Sequence, residues 1–187
     1  MQDMDTPATV LVVDDEREVA DLYAASLDGE YAVQTAYSGE EALELLVFEP
    51  DVVLLDRRMP GLSGTEVLEE IRARDADVRV AMVSGVEPDF DVVEMPFDDY
   101  LVKPVGPTDL GELVERLLVL DRFEEKRVEL SSKRVTRNVL EVEKTDAELE
   151  ASEEYARLVE EIQRLEAEID RLKSRLGDRY PQVAAPN

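Results

Sequence analysis

Five short, largely aliphatic runs punctuate the first 120 residues, at 9–14, 32–36, 51–56, 79–84 and 99–103, and a helical stretch follows each. Runs this apolar carry no polar alternation, so both faces of each strand must be covered, the condition of an open parallel sheet. Residues 16–27 place Val19, Ala20, Leu22, Tyr23 and Leu27 at helical spacing before a turn at Asp28-Gly29. Ser38 with Glu41 and Ser63 with Glu66 have the spacing of capping boxes, opening helices that end before Pro50 and near Arg74. Thr108 opens a fifth helix, with Leu110, Leu113, Val114, Leu117 and Leu118 on one face. Between the last two runs, Pro88 can begin a helix but Pro96 stops it, so a fourth helix of about two turns, or an irregular one, is expected. The pattern predicts an α/β fold with five parallel strands and helices on both faces.

In such sheets ligands bind beyond the carboxyl ends of the strands. The polar residues at those ends are Asp14, Asp15, Asp56, Ser84 and Lys103. Taken singly each reads as a helix cap or a solvated loop residue; together they define one edge. The chain has no cysteine and no histidine, which removes thiol chemistry, ordinary zinc sites and histidine acid–base catalysis. A metal here is therefore hard and oxygen-ligated, Mg²⁺ or Ca²⁺. Adjacent Asp14 and Asp15 repel each other unless a cation sits between them and Asp56, where it would neutralise a phosphoryl group delivered to the Asp56 carboxylate. Lys103 and the Ser84 hydroxyl can contact the other phosphoryl oxygens. Lys103-Pro104 reads as a turn that admits a cis bond.

Asp14-Asp15 after the first strand, Leu54-Leu55-Asp56-Arg57-Arg58-Met59-Pro60-Gly61 after the third, Ser84-Gly85 after the fourth and Tyr100-Leu101-Val102-Lys103-Pro104 at the fifth occur in order. This set resembles the receiver domains of two-component response regulators over roughly residues 8–120. The resemblance implies a flavodoxin-like doubly wound sheet in which Asp56 is the phosphoacceptor. It implies Mg²⁺ held by Asp15 directly, by Asp14 mostly through water, by Asp56 and by the Arg58 backbone carbonyl. Ser84 would bond the phosphoryl group, and Ser84 and Tyr100 would form the switch. A sensor histidine kinase is the implied donor, and the domain would promote its own phosphorylation and dephosphorylation without being a turnover enzyme. Met95-Pro96-Phe97 departs from the small residues usual in the family. A haloacid-dehalogenase-like phosphohydrolase also uses a strand-end Asp, but needs a second acid two residues on, where this chain has Arg58.

Charge divides the chain. Residues 1–120 carry 8 basic and 29 acidic residues, and residues 121–187 carry 13 and 17, within a net charge of −25. That balance argues against nonspecific binding to nucleic acid or anionic lipid. Acidic, lysine-poor and cysteine-free, the composition resembles that of halophile proteins. The N-terminus has no basic flank or apolar stretch and no run nears the length of a membrane span, so a cytoplasmic protein is expected.

Neither Gly nor Pro interrupts residues 112–176, so the fifth helix can continue past Leu120. Thr145 with Glu148 suggests a further helix. Tyr155, Leu158, Ile162, Leu165, Ile169, Leu172 and Leu176 then alternate at three and four, a coiled-coil seam closed by Gly177 and Pro181. The seam points to a homodimer or a helical partner slightly ahead of an intrachain hairpin, in which 155–176 would fold back on 121–144. Lys126, Arg127, Lys133, Arg134 and Arg137 form a basic patch diluted by Glu124, Glu125 and Glu129, with no helix-turn-helix signature. It reads as a solvated helix face, with direct DNA binding by 121–144 as the alternative output. A receiver followed by an acidic two-helix tail resembles the HalX-type regulators of haloarchaea. The expected organisation is a disordered start at 1–7, a receiver at 8–120, a helical or coiled-coil domain at 121–180 and a tail at 181–187.

Overall fold

The computed structural model describes residues 7–74 and 76–177. Strands β1 (Thr9–Val13), β2 (Ala32–Ala36), β3 (Val52–Leu55), β4 (Arg79–Ser84) and β5 (Asp99–Val102) form one sheet in the order β2-β1-β3-β4-β5. All four pairings are parallel, with Val13 opposite Leu55 and Met82 opposite Tyr100. Strand alternation sends Val10, Val12, Val52, Leu54, Ala81 and Val83 to one face. There they meet α1 (Arg17–Leu27) and, from the start of α4 (Pro107–Glu143), Leu110, Leu113, Val114 and Leu117. Leu11, Val13, Val53, Leu55, Val80 and Met82 face the other way, into α2 (Gly39–Leu45) and α3 (Gly64–Ala73). The central runs β1, β3 and β4 are buried on both sides because each face carries its own core, whereas the edge strands β2 and β5, expected to be covered alike, are only partly buried.

Helix starts follow their caps. Ser63 and Glu66 form a full capping box on α3. At α2 the Ser38 hydroxyl accepts from the Glu41 N–H, but the Glu41 carboxylate reaches back to the Tyr37 N–H instead (2.8 Å), leaving half of the expected box. Between β4 and β5 the helical content is one 3₁₀ turn at Phe90–Val92, short of two α-turns and matching the irregular alternative. Pro96 has no N–H to extend a helix and disfavours α conformation at Met95. The Arg72 side chain then holds the segment, donating to the Pro96 carbonyl (2.9 Å), the Val78 carbonyl (2.8 Å) and Asp98 (2.8 Å).

The chain divides into two compact units, the first ending at Leu118 and the second beginning at Val119. In the second unit α4 runs on to Glu143, followed by α5 (Asp146–Glu150) and α6 (Glu153–Leu176). The capping box of Thr145 and Glu148 is present, but its helix stops after five residues. The Ser152 hydroxyl accepts from the Tyr155 N–H and starts a new helix, so one expected helix is two. The seam of α6 packs within the chain. Ile169, Leu172 and Leu176 meet Val119, Leu120 and Phe123, while Leu158, Ile162 and Leu165 meet Leu130. Tyr155 donates its hydroxyl proton to Glu141 (2.8 Å), completing the intrachain hairpin, the alternative to pairing between chains for this seam. Gly177 ends α6 at φ 64. The expected disordered residues 1–6, Pro181 and the tail at 181–187 lie outside the described residues.

Candidate functional site

After β1 the chain moves to β2 on one side, and after β3 it moves to β4 on the other. The crevice between β1 and β3 is therefore where the strand order reverses, the place such sheets reserve for ligands. Because Val13 and Leu55 are register partners, the next residues of each strand, Asp14 and Asp56, emerge side by side. Backbone bonds fix both: the Asp56 N–H donates to Val13 (2.9 Å) and the Asp14 N–H to Ala36 (3.1 Å). Asp14 and Asp56 are buried and Asp15 is half-buried; an oxygen of each lies within 4.8 Å of the other two.

Lys103 reaches this cluster from the end of β5. Its Nζ lies 2.6 Å from Asp14 and 3.4 Å from Asp56. Its backbone N–H donates to the Ser84 carbonyl (2.9 Å), and the Lys103–Pro104 bond is cis. Ser84 is buried at the end of β4, and its hydroxyl accepts from the Val86 N–H at 3.4 Å. Tyr100 donates its hydroxyl proton to the Val86 carbonyl (2.6 Å) and packs edge-on against Phe97. Four strand ends thus carry the residues expected at the edge: Asp14, Asp15 and Asp56 cluster, Lys103 reaches two of them, and Ser84 is joined to Lys103 through its backbone carbonyl. Asp56 is held above the usual carboxylate range, first by burial and then by Asp14; Lys103 and the Arg58 N–H pull the other way. For Lys103, burial acts downward, but the hydrogen bond to Asp14 and the charges of Asp56 and Asp14 leave it above the usual lysine value.

Three clustered carboxylates against one ammonium leave net negative charge in a buried setting, and hard oxygen donors suit Mg²⁺. The residues present therefore fit the ion.

Two contributors escape the sequence reading. Gly64 sits so close behind Asp56 that a Cβ there would lie 2.0 Å from the Asp56 carbonyl oxygen, and its N–H donates to Arg57 (3.1 Å). Its only sequence signal is a glycine directly after a capping serine. Tyr23, expected only as a core position, is buried on α1 and its phenol is raised by burial, with Lys103, Asp14 and Asp56 all near enough to act on it.

The basic patch of α4 is largely paired. Lys126 meets Glu129 (3.1 Å), Lys133 meets Glu161 (2.5 Å), Arg134 meets Glu166 (2.7 Å) and Arg137 meets Glu141 (3.5 Å). Arg127 lies over the Phe123 ring. No helix among the described residues is long and apolar enough to cross a membrane.

Known proteins share this arrangement. The family model described as the response regulator receiver domain matches residues 10–115, and that of the HalX domain matches residues 119–182. A Haloferax volcanii protein provisionally named a transcriptional regulator is 61% identical over 116 residues, 62% of this chain and 20% of its own. The chemotaxis protein CheY4 of Vibrio cholerae is 27% identical at a TM-score of 0.57, over 60% of this chain and 99% of its own. NtrX of Brucella abortus is 29% identical at a TM-score of 0.61, over 67% of this chain and 30% of its own. The chain belongs to the response-regulator receiver family and joins its receiver to a HalX domain. It spans from 20% to 47% of the length of three curated relatives it matches.

Proposed function

We propose that Asp56 accepts a phosphoryl group from the phosphohistidine of a sensor histidine kinase. The observation that carries this is the Asp14–Asp15–Asp56 cluster at the strand-order reversal, with Lys103 laid against two of its members. An Asp56 carboxylate oxygen attacks phosphorus in line; the P–O bond forms as the P–N bond to the donor imidazole breaks, and the imidazole leaves with the electron pair. Lys103 turns its ammonium from the carboxylates toward the arriving phosphoryl oxygens, and the Ser84 hydroxyl donates to another. Asp14, Asp15, Asp56 and the Arg58 carbonyl are the groups that would hold Mg²⁺. When bound, the ion supplies positive charge against both the carboxylates and the phosphoryl oxygens.

Ser84 and Tyr100 read the event. A Ser84 hydroxyl drawn to the phosphoryl group leaves the Val86 N–H, while Val86 is also the acceptor of the Tyr100 hydroxyl. Phosphorylation therefore acts on the β4–β5 segment through Val86. This role belongs in the cytoplasm, with the HalX domain as an interaction or dimerisation module. The named regulators of transcription among the relatives favour an output at promoters, with DNA contacted by 121–144 or through a partner. The paired state of the basic patch favours the partner. Arg58, where a hydrolase needs an acid, speaks against a phosphohydrolase.

Treatment with a small acyl phosphate and Mg²⁺ should add one phosphoryl group at Asp56, read by mass spectrometry after borohydride trapping. Unchanged labelling of the Asp56→Ala protein would sink the proposal.

A further inference from the structure

The hairpin uses one face of α4 and leaves a second patterned face open. Val128, Ser132, Val135, Val139 and Val142 follow a four-three-four-three spacing, the repeat of a helix that packs along another helix. They lie on the side of α4 away from Leu130, which is buried against α6. The four valines are 72%, 60%, 55% and 82% exposed, and Ser132 is exposed too. Isolated exposed valines need no explanation, but four in seam register on one helix do.

Charge indicates what covers them. In a chain with 46 acidic and 21 basic residues, the middle of this strip, at 131, 132, 135, 136, 138 and 139, reads Ser, Ser, Val, Thr, Asn and Val. The neighbouring cations Lys133, Arg134 and Arg137 are engaged with Glu161, Glu166 and Glu141. A strongly basic or acidic partner would find no charge of opposite sign along the centre of the strip. A second copy of this highly acidic chain needs a contact low in like charge, and the centre of this face provides one, with Glu124 and Glu125 before Val128 and Glu143 after Val142 lying only at its ends. A two-fold dimer places the same patch on both sides of the interface, and a seam of near-equal valines is self-complementary in that sense.

We infer that the outer valine face of α4 is the surface on which two copies of this chain associate. It is separate from the α6 seam, which the hairpin occupies. The strip spans about 21 Å of helix. Two copies would bury roughly 1,200 Å² or less in total, so association is weak and reversible. It is also promoted by salt, because the net charges of two copies repel and the Debye length falls from about 10 Å at 0.1 M to about 3 Å at 1 M.

Sedimentation equilibrium of the full chain in about 2 M KCl tests this. The expected result is a concentration-dependent dimer with a dissociation constant on the order of tens of micromolar. The Val135→Glu/Val139→Glu protein should associate at least about tenfold more weakly with unchanged helical circular dichroism. Both positions are exposed and glutamate is a good helix former, so the hairpin should survive. In a chain without cysteine, Val135→Cys should be cross-linked between copies by a short bismaleimide, and Glu160→Cys on exposed α6 should not. A wild-type monomer at high micromolar concentration in that salt overturns the inference. So does a dimer that persists undiminished in the double-glutamate variant, since its contact would lie elsewhere.

Discussion

Asp56 occupies a place where the fold opposes its own charge. Its carboxyl is raised above the ordinary range by burial and by Asp14, with Lys103 offsetting part of the effect. The folded chain therefore keeps a proton at a pH where the unfolded chain has released it, and stability falls as pH rises from the ordinary carboxylate range through the folded value. Asp56→Asn removes the charge and keeps the shape. It should raise the melting temperature at neutral pH in chelator by about 2–4 °C, the shift that about 1 kcal/mol produces in a chain of this size. Calorimetry with and without Mg²⁺ checks this: the ion should stabilise the wild type and add little to Asp56→Asn. Gly64 supports the same residue from behind. With a Cβ only 2.0 Å from the Asp56 carbonyl oxygen, Gly64→Ala must displace backbone and should cost about 1–3 kcal/mol in urea unfolding. Acyl-phosphate labelling of Asp56 should fall with it.

Elements differ in how openly their sequences declare them. The central strands were legible because Val10–Val13 and Val52–Leu55 are buried on both faces and contain nothing else that chemistry would place there. The site was legible for the same reason: polar residues ending such strands have one edge to occupy. The α6 seam was legible as a seam but not as a hairpin, since a three-four repeat states that a helix packs without stating on which chain. What decides is the five-residue helix α5 with Leu149 buried, which turns the chain back, and the Ser152 cap that releases α6 from it. Gly64 was hidden because its constraint comes from a backbone carbonyl eight positions earlier. Ile162, at the centre of the hairpin and 2% exposed, is the test of that packing. Ile162→Ala should cost the second unit about 2–5 kcal/mol, read as a lower urea midpoint in the loss of helical circular dichroism.

At the scale of the molecule, charge sets the conditions of stability. A net −25 on 187 residues repels itself in the folded state, and added salt screens that repulsion. The melting temperature should climb steadily from about 0.1 to 2 M KCl, with most of the early rise coming from screening; a flat curve in differential scanning calorimetry would contradict it. The hairpin also has a bearing on the order in which the chain acquires structure. The central sheet must join Val10 to Val52 before β1 and β3 can exist as a pair, so a long loop has to close early. The second unit needs no such closure. Lys133 and Glu161 are 28 residues apart across a tight turn, and the contacts beyond them can zip outward one helical turn at a time. Helical hairpins of this local kind form in microseconds to milliseconds, ahead of parallel sheets. When the chain refolds from denaturant, the helical hairpin is therefore the first part expected to be finished, complete while the receiver is still searching for its strand order.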